Sequence, residues 1–275
     1  MPMDEFKAAN LAMWDETVDI HYRSDFYGVE RFRAGWSSLE PVEPDEMGSV
    51  EGKTLLHLQC HFGMDTLSWA RKGATVTGLD YSPAAIEAAR RLSVESGVPG
   101  RFLESELYDA PNVLDEKFDI VYTGIGALCW LPDIRGWAKV VSHFLKPGGF
   151  LYILEGHPML WALDDDTPED PMHVAWPYFE TDQPQNPAGW DNDEDYAQTG
   201  EKMKNTRTYN WGHGLGEIVT ALIEEGLRIE FLHEHKTCAW QAFPWMVKGD
   251  DDMWHVPNHP ERLPLMWSTR AVKDA

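Results

Sequence analysis

The stretch ATVTGLDYSPAAIEAARRLSVESG, residues 74–97, decides the architecture. Its first seven residues alternate β-branched and apolar side chains, which predicts a strand ending at Asp80. Ser82 then stands at an N-cap and Pro83 at the first helical position, and the Ala-rich run that follows stops at Gly97. A strand handing on to a helix is half of a βαβ unit, and the pattern repeats on both sides. Upstream, LLHLQC (55–60) reads as a short buried strand and DTLSWARKG (65–73) as a helix. Downstream, RFLES (101–105) and FDIVYTG (118–124) read as strands, and IRGWAKVVSHFL (134–145) as an amphipathic helix. LKPGG (145–149) reads as a turn and FLYILEG (150–156) as a fifth strand. Near the C-terminus, LGEIVTALIEEG (215–226) is a helix, followed by the strands LRIEFLHEH (227–235) and LPLMWSTRAVK (263–273). No helix separates these two strands, so they are expected to pair antiparallel. The fold class is therefore α/β: a doubly wound seven-stranded sheet, mostly parallel with a reversed last strand, plus an N-terminal helical arm and an inserted lid.

Four regions follow. Residues 1–50 form the helical arm, with Phe6, Leu11, Trp14 and Val18 spaced for one face. Residues 51–156 form the Rossmann-like core. Residues 157–212, with six prolines and four tryptophans, form an irregular insertion too long for a simple connection. Residues 213–275 complete the sheet. The 275-residue chain carries a net charge of −23, and this charge is unevenly placed. The core holds 10 basic and 13 acidic residues, whereas the arm holds 4 and 11 and the insertion 3 and 12. Such a charge disfavours nucleic acid and anionic membranes as partners. It suits a cationic or aromatic ligand under the acidic, Trp-bearing segments, though a solubilising surface explains it as well. Three cysteines without a CxxC pair cannot build a disulfide framework, which points to a reducing, cytoplasmic setting. The N-terminus lacks the pattern of a signal peptide, and no apolar run reaches the roughly 20 residues of a membrane span.

Open α/β sheets bind ligands at the carboxyl ends of their strands. Asp80 closes the second strand, 23 residues after His57, a spacing that suits hydrogen bonds to a ribose diol. The GxGxxG fingerprint of pyrophosphate binders is absent and only Gly63 marks a glycine turn, so a nucleoside without phosphates is the better ligand. At this point the chain resembles the class I S-adenosylmethionine-dependent methyltransferases over roughly residues 53–156, with the helix and strand pair at 215–273. The resemblance rests on VTGLDYSPAAIEAAR (76–90), FDIVYTGIGALCWL (118–131) and LKPGGFLYILEGHP (145–158). It implies S-adenosylmethionine as the cofactor. The family turn after the first strand, an acid followed by alternating glycines, falls on His57, Gln59, His61 and Gly63, so three of four places depart from the pattern. Asp80, beside Tyr81, is then expected to hold the ribose, Glu106 and Leu107 the adenine, and Thr123 to lie against the cofactor at the end of the fourth strand. Gln59 or His61 is expected at the methionine end.

Methyl transfer from a sulfonium is an in-line displacement that mainly needs positioning and exclusion of water. A base is needed only where the acceptor must lose a proton. His157, after the fifth strand, and His213, before the C-terminal helix, are the candidates for a base or an acceptor-orienting group; capping and packing are the alternatives. Trp14 and Tyr22 of the arm, and Tyr178 and Trp211 of the insertion, are candidate acceptor-site residues. The runs DDD (164–166), DNDED (191–195) and DDD (250–252) lack EF-hand register and read as solvated loops. His233 and His235 share a strand face without a third ligand, so no metal is expected. The function read here is methyl transfer to a small molecule, with the acceptor atom (O, N or C) open. TGIG (123–126) stands where base and glutamine methyltransferases carry N/D-P-P-Y. The alternatives are a non-catalytic module binding S-adenosylmethionine or S-adenosylhomocysteine, and a nicotinamide-dependent oxidoreductase.

Overall fold

In the computed structural model the described residues are 3–163, 173–191, 196–197 and 199–275. The core strands are β1 (Thr54–Leu58), β2 (Thr75–Asp80), β3 (Arg101–Glu104), β4 (Phe118–Thr123), β5 (Leu145–Gly156), β6 (Leu227–His235) and β7 (Met266–Lys273). They form one sheet in the order β3-β2-β1-β4-β5-β7-β6. β7 runs antiparallel to both of its neighbours, and the pairs among β1–β5 are parallel. The strand number and the reversed last strand both follow the expectation. The parallel strands therefore end together, at Leu58, Asp80, Thr123 and Gly156, and build one carboxyl edge.

The helices are α1 (Met3–Arg23), α2 (Met64–Arg71), α3 (Pro83–Ser96), α4 (Ile134–Phe144) and α5 (Leu215–Glu224), with shorter turns between them. α3 starts where the sequence places it: the Ser82 hydroxyl accepts from Ala85 N–H at 3.0 Å, and Gly97 closes the helix at φ 67°. Its buried side chains Ala85, Ile86, Ala89 and Leu92 recur at helical spacing and pack beside β2 and β3. α4 and α5 cover the other sheet face, where Trp137, Val141, Ile218 and Leu222 meet Leu56, Val121, Leu151 and Trp267. Burial of each such side chain contributes about 1.5–3 kcal/mol.

Three features differ from the sequence reading. LKPGG is not a turn ahead of β5 but part of it: Leu145 lies opposite Phe118 and Phe150 opposite Ile120, so the intervening residues bulge out. α1 buries Phe6, Asn10, Met13 and Thr17, while Leu11 and Trp14 are only half-buried. The reason is its partner, because Asn10 exchanges two 2.8 Å bonds with the backbone of Tyr209. Finally, the link from β6 to β7 carries a small antiparallel sheet of Thr237–Cys238, Trp254–His255 and Val247–Lys248. Trp240, from the same link, stacks on Trp161 at 5.8 Å.

Gly63 is the tightest point between β1 and α2. Its φ is 77°, and a Cβ there would sit 2.6 Å from the Phe102 ring. Left-handed strain and overpacking add, so Gly63→Ala is expected to cost roughly 2–5 kcal/mol. Urea unfolding of the two proteins measures it.

Candidate active site at the carboxyl edge

The turn after β1 alternates left-handed residues: Gln59 at φ 58°, His61 at φ 50° and Gly63 at φ 77°. The first two stand where the resembled family has glycine, so the backbone shape is kept without the residue that adopts it freely. A non-glycine residue in this region costs on the order of 1–3 kcal/mol. Tertiary contacts hold it there. Cys60 N–H donates to the Leu79 carbonyl at 2.9 Å, and His61 N–H to Asp80 Oδ2 at 2.8 Å. Gln59 Nε2 donates to the Ala127 carbonyl at 2.9 Å. The His61 ring packs edge-on against Trp14 at 5.3 Å and His21 at 5.4 Å.

Asp80 is buried at the end of β2, and its second oxygen accepts from Ser82 N–H at 3.0 Å. Burial pushes its carboxyl up to about 6, against the lowering effect of the backbone donors. Two N–H groups leave lone pairs on both oxygens, enough for a pair of vicinal hydroxyls. Tyr81 follows, its phenol pushed up by burial and by the carboxylates of Asp80, Asp15 and Glu106. Glu106 is turned to local duty: it accepts from Tyr108 N–H at 2.6 Å and pairs with Lys7 of α1 at 2.7 Å. The adjacent Leu107 is buried.

Glu155, at the end of β5, was not singled out in the sequence. Its buried carboxylate accepts from Gly126, Ala127, Leu128 and Gly156 N–H at 2.7–3.1 Å and so shapes the loop after β4. An acid closing the apolar run LYIL was the available signal. At the head of that loop Thr123 Oγ1 is buried without a partner among the described residues, as are Gln59 Oε1 and His61 Nε2.

The candidate histidines are both buried, each with one nitrogen hydrogen-bonded and the other beside a carboxylate. His157 Nδ1 accepts from Met159 N–H at 3.0 Å, capping the turn Pro158–Trp161, and its Nε2 lies 3.1 Å from Glu234. His213 Nε2 lies 2.7 Å from the Leu131 carbonyl and its Nδ1 2.8 Å from Glu180. Strand-end position located both rings, and the carboxylates beside them, Glu234 and Glu180, lie far off in the chain. His57 is buried, with Nδ1 2.8 Å from Thr66 Oγ1, and burial holds its pKa down at about 3. Tyr22 is not brought to this edge; its hydroxyl donates to Glu95 on α3 at 2.7 Å. The Tyr178 hydroxyl accepts from Leu215 N–H at 3.2 Å, at the start of α5. Trp211 is buried over Phe6 and lines a narrow pocket with Cys129, Glu155, His213 and Trp267. Trp14 lies over the turn, against His61 and Trp130.

Among the described residues no group of three His, Cys, Asp or Glu side chains could hold a metal ion. His233 lies 2.6 Å from Glu46 and His235 2.9 Å from Ser268 Oγ. The runs 164–166 and 192–195 lie outside the described residues; in 250–252, Asp251 pairs with His255 and Asp252 with Lys248. No described helix is long and apolar enough to cross a membrane.

Two outcomes follow from this geometry. His157→Ala is expected to lose the cap and about 1 kcal/mol of stability, while His157→Asn keeps most of it, as read by denaturation. Asp80 binds its proton more tightly folded than unfolded. Its contribution to stability is thus full below its unfolded pKa near 4 and is lost as pH rises through about 6. In melts between pH 4 and 7, Asp80→Asn is expected to flatten the fall in Tm.

Comparison with known proteins bears on the domain and the fold. Residues 56–151 match the family model described as a methyltransferase domain. A ubiquinone biosynthesis O-methyltransferase of Proteus mirabilis (strain HI4320) is 27% identical over 157 residues, covering 51% of this chain and 64% of the relative. The chain spans less than two thirds of the length of such curated relatives. An S-adenosylmethionine-dependent methyltransferase structure from Clostridium acetobutylicum ATCC 824 superimposes with a TM-score of 0.57 at 14% identity, covering 95% of this chain and 99% of the other. One from Mesorhizobium loti gives 0.54 at 20% identity, covering 87% and 99%. Residues 56–151 thus match a methyltransferase domain, and the sheet has the fold of these S-adenosylmethionine-dependent methyltransferase structures.

Proposed function

We propose that the chain binds S-adenosylmethionine at the carboxyl edge and transfers its methyl group to a small molecule. The observation that carries this is Asp80: a buried carboxylate, fixed by two backbone N–H groups, with acceptor capacity left for a ribose diol. Beside it, the unpartnered Gln59 Oε1, His61 Nε2 and Thr123 Oγ1 suit a polar ligand lying across β1 and β4. Leu107 and Tyr81 flank the adenine side, and Gly63 allows close backbone approach. When bound, the cofactor supplies a methyl group already activated on a sulfonium.

The residues then have three tasks. Asp80 fixes the nucleoside. Glu155 holds the loop 126–128 in one shape at the reacting end. The arm and the insertion exclude water as one cover. They are joined by Asn10 to Tyr209, by Glu16 to the N–H groups of Lys204 and Asn205 at 2.8 Å, and by Arg23 to Glu201. A hydroxyl acceptor, as the name of the Proteus O-methyltransferase implies for that relative, would lose its proton as the methyl group arrives. The free thiols Cys60, Cys129 and Cys238 suit a reducing, cytoplasmic setting.

Incubation with S-adenosylmethionine and a metabolite extract, followed by mass detection of a product heavier by one methylene unit, tests the activity. Binding without turnover across a broad acceptor panel would favour a non-catalytic module instead. Asp80→Ala is expected to weaken S-adenosylhomocysteine binding by about 1.5–3 kcal/mol in calorimetry. In the native chain the affinity is expected to drop as pH falls through about 6, because protonated Asp80 accepts less well.

A further inference from the structure

The cofactor of the proposed function carries an ammonium on its amino-acid end, and the buried Asp80 and Glu155 and the half-buried Asp65 stand near the carboxyl edge. Asp80 belongs to β2 and its oxygens are held by His61 and Ser82. Glu155 is enclosed by four N–H groups. Asp65 differs. It lies in the first turn of α2, two residues after Gly63, and Oδ1 accepts from the Ser38 hydroxyl at 2.5 Å. Oδ2 faces the end of β4: a Cβ built on Gly124 would lie 3.6 Å from it, and 3.4 Å from both His57 Nε2 and the Tyr122 hydroxyl. Gly124 thus leaves a bare backbone in front of these three groups.

The other two groups there are poor partners for a cation. His57, on β1, is kept neutral by burial, and the Tyr122 hydroxyl donates to Glu43. No described Lys, Arg or His forms an ion pair with Asp65, Glu43 or Glu40. Burial raises the carboxyls of Asp65 and Glu43, as expected where no cation compensates them. A ligand ammonium at Gly124 would supply that missing charge.

Resting on the cofactor reading above, we propose that Asp65 accepts the α-ammonium of the cofactor, with Ser38 locking its carboxylate. The acid is then delivered from α2, because β1 presents the neutral His57. Ser38 also makes the cofactor's amino-acid end sensitive to the arm, which carries it.

Calorimetry on the full chain tests this with two ligands: S-adenosylhomocysteine, and 5′-methylthioadenosine, which lacks the amino-acid end. Asp65→Asn is expected to weaken S-adenosylhomocysteine by about 10-fold to 100-fold, the scale of a charge-assisted hydrogen bond, and to leave 5′-methylthioadenosine within about twofold. Retained 5′-methylthioadenosine binding also reports an intact fold. Ser38→Ala, which keeps the acid, is expected to show the same split at smaller amplitude and serves if Asp65→Asn does not fold. Equal weakening of both ligands, or of neither, in the variants that fold would overturn the inference. If the unmodified chain binds neither ligand, the cofactor reading fails and the inference falls with it.

Discussion

The hydrogen bond from His61 N–H to the Asp80 carboxylate is the constraint on which the edge depends. It holds a left-handed histidine in its turn, and it fixes the carboxylate proposed to hold the ribose. One bond therefore serves shape and chemistry together. Gln59 carries the brace on to the loop after β4, and Glu155 draws the same loop back to β5. Four strand ends are cross-tied in this way by side chain to backbone bonds. Backbone donors cannot swing away as side chains do, so the edge is organised before any ligand arrives.

The cover is built differently. The arm and the insertion hold most of the net negative charge, and among the described residues Arg23 pairs with Glu201 across them. They meet through backbone groups that accept from or donate to Asn10 and Glu16, and through Phe6 on Tyr209 and Trp211. Neutral and aromatic contacts let two acidic segments close on each other. Exposed ion pairs such as Arg23 with Glu201 add at most about 1 kcal/mol.

The elements that carry the edge were legible because each is dictated locally. Ser82, Pro83 and Gly97 delimit α3 within its own sequence, and the alternation before Asp80 writes β2. The place of Asp80 follows from the end of that strand. The roles of the histidines were not legible. His157 and His213 sit where strand-end reasoning puts them, yet each ring is claimed by a carboxylate from another region, Glu234 and Glu180. Glu106 keeps its position but spends its carboxylate on a cap and on Lys7. Asp65 gave no signal as a ligand group, since its meaning depends on Gly124 and Ser38 lying against it.

By itself, then, the sequence determined the order of strands and helices along the chain, the reversal of β7, and the placing of Asp80 at a strand end. Those follow from periodicity, caps and connection length, which act over a few residues. Only the tertiary structure decided which polar atoms are spent and which remain. Gln59 meets Ala127, Asn10 meets Tyr209 and Glu43 meets Tyr122 across 68, 199 and 79 residues. A buried polar group takes whichever partner the fold brings within about 3 Å, and no local pattern encodes that distance.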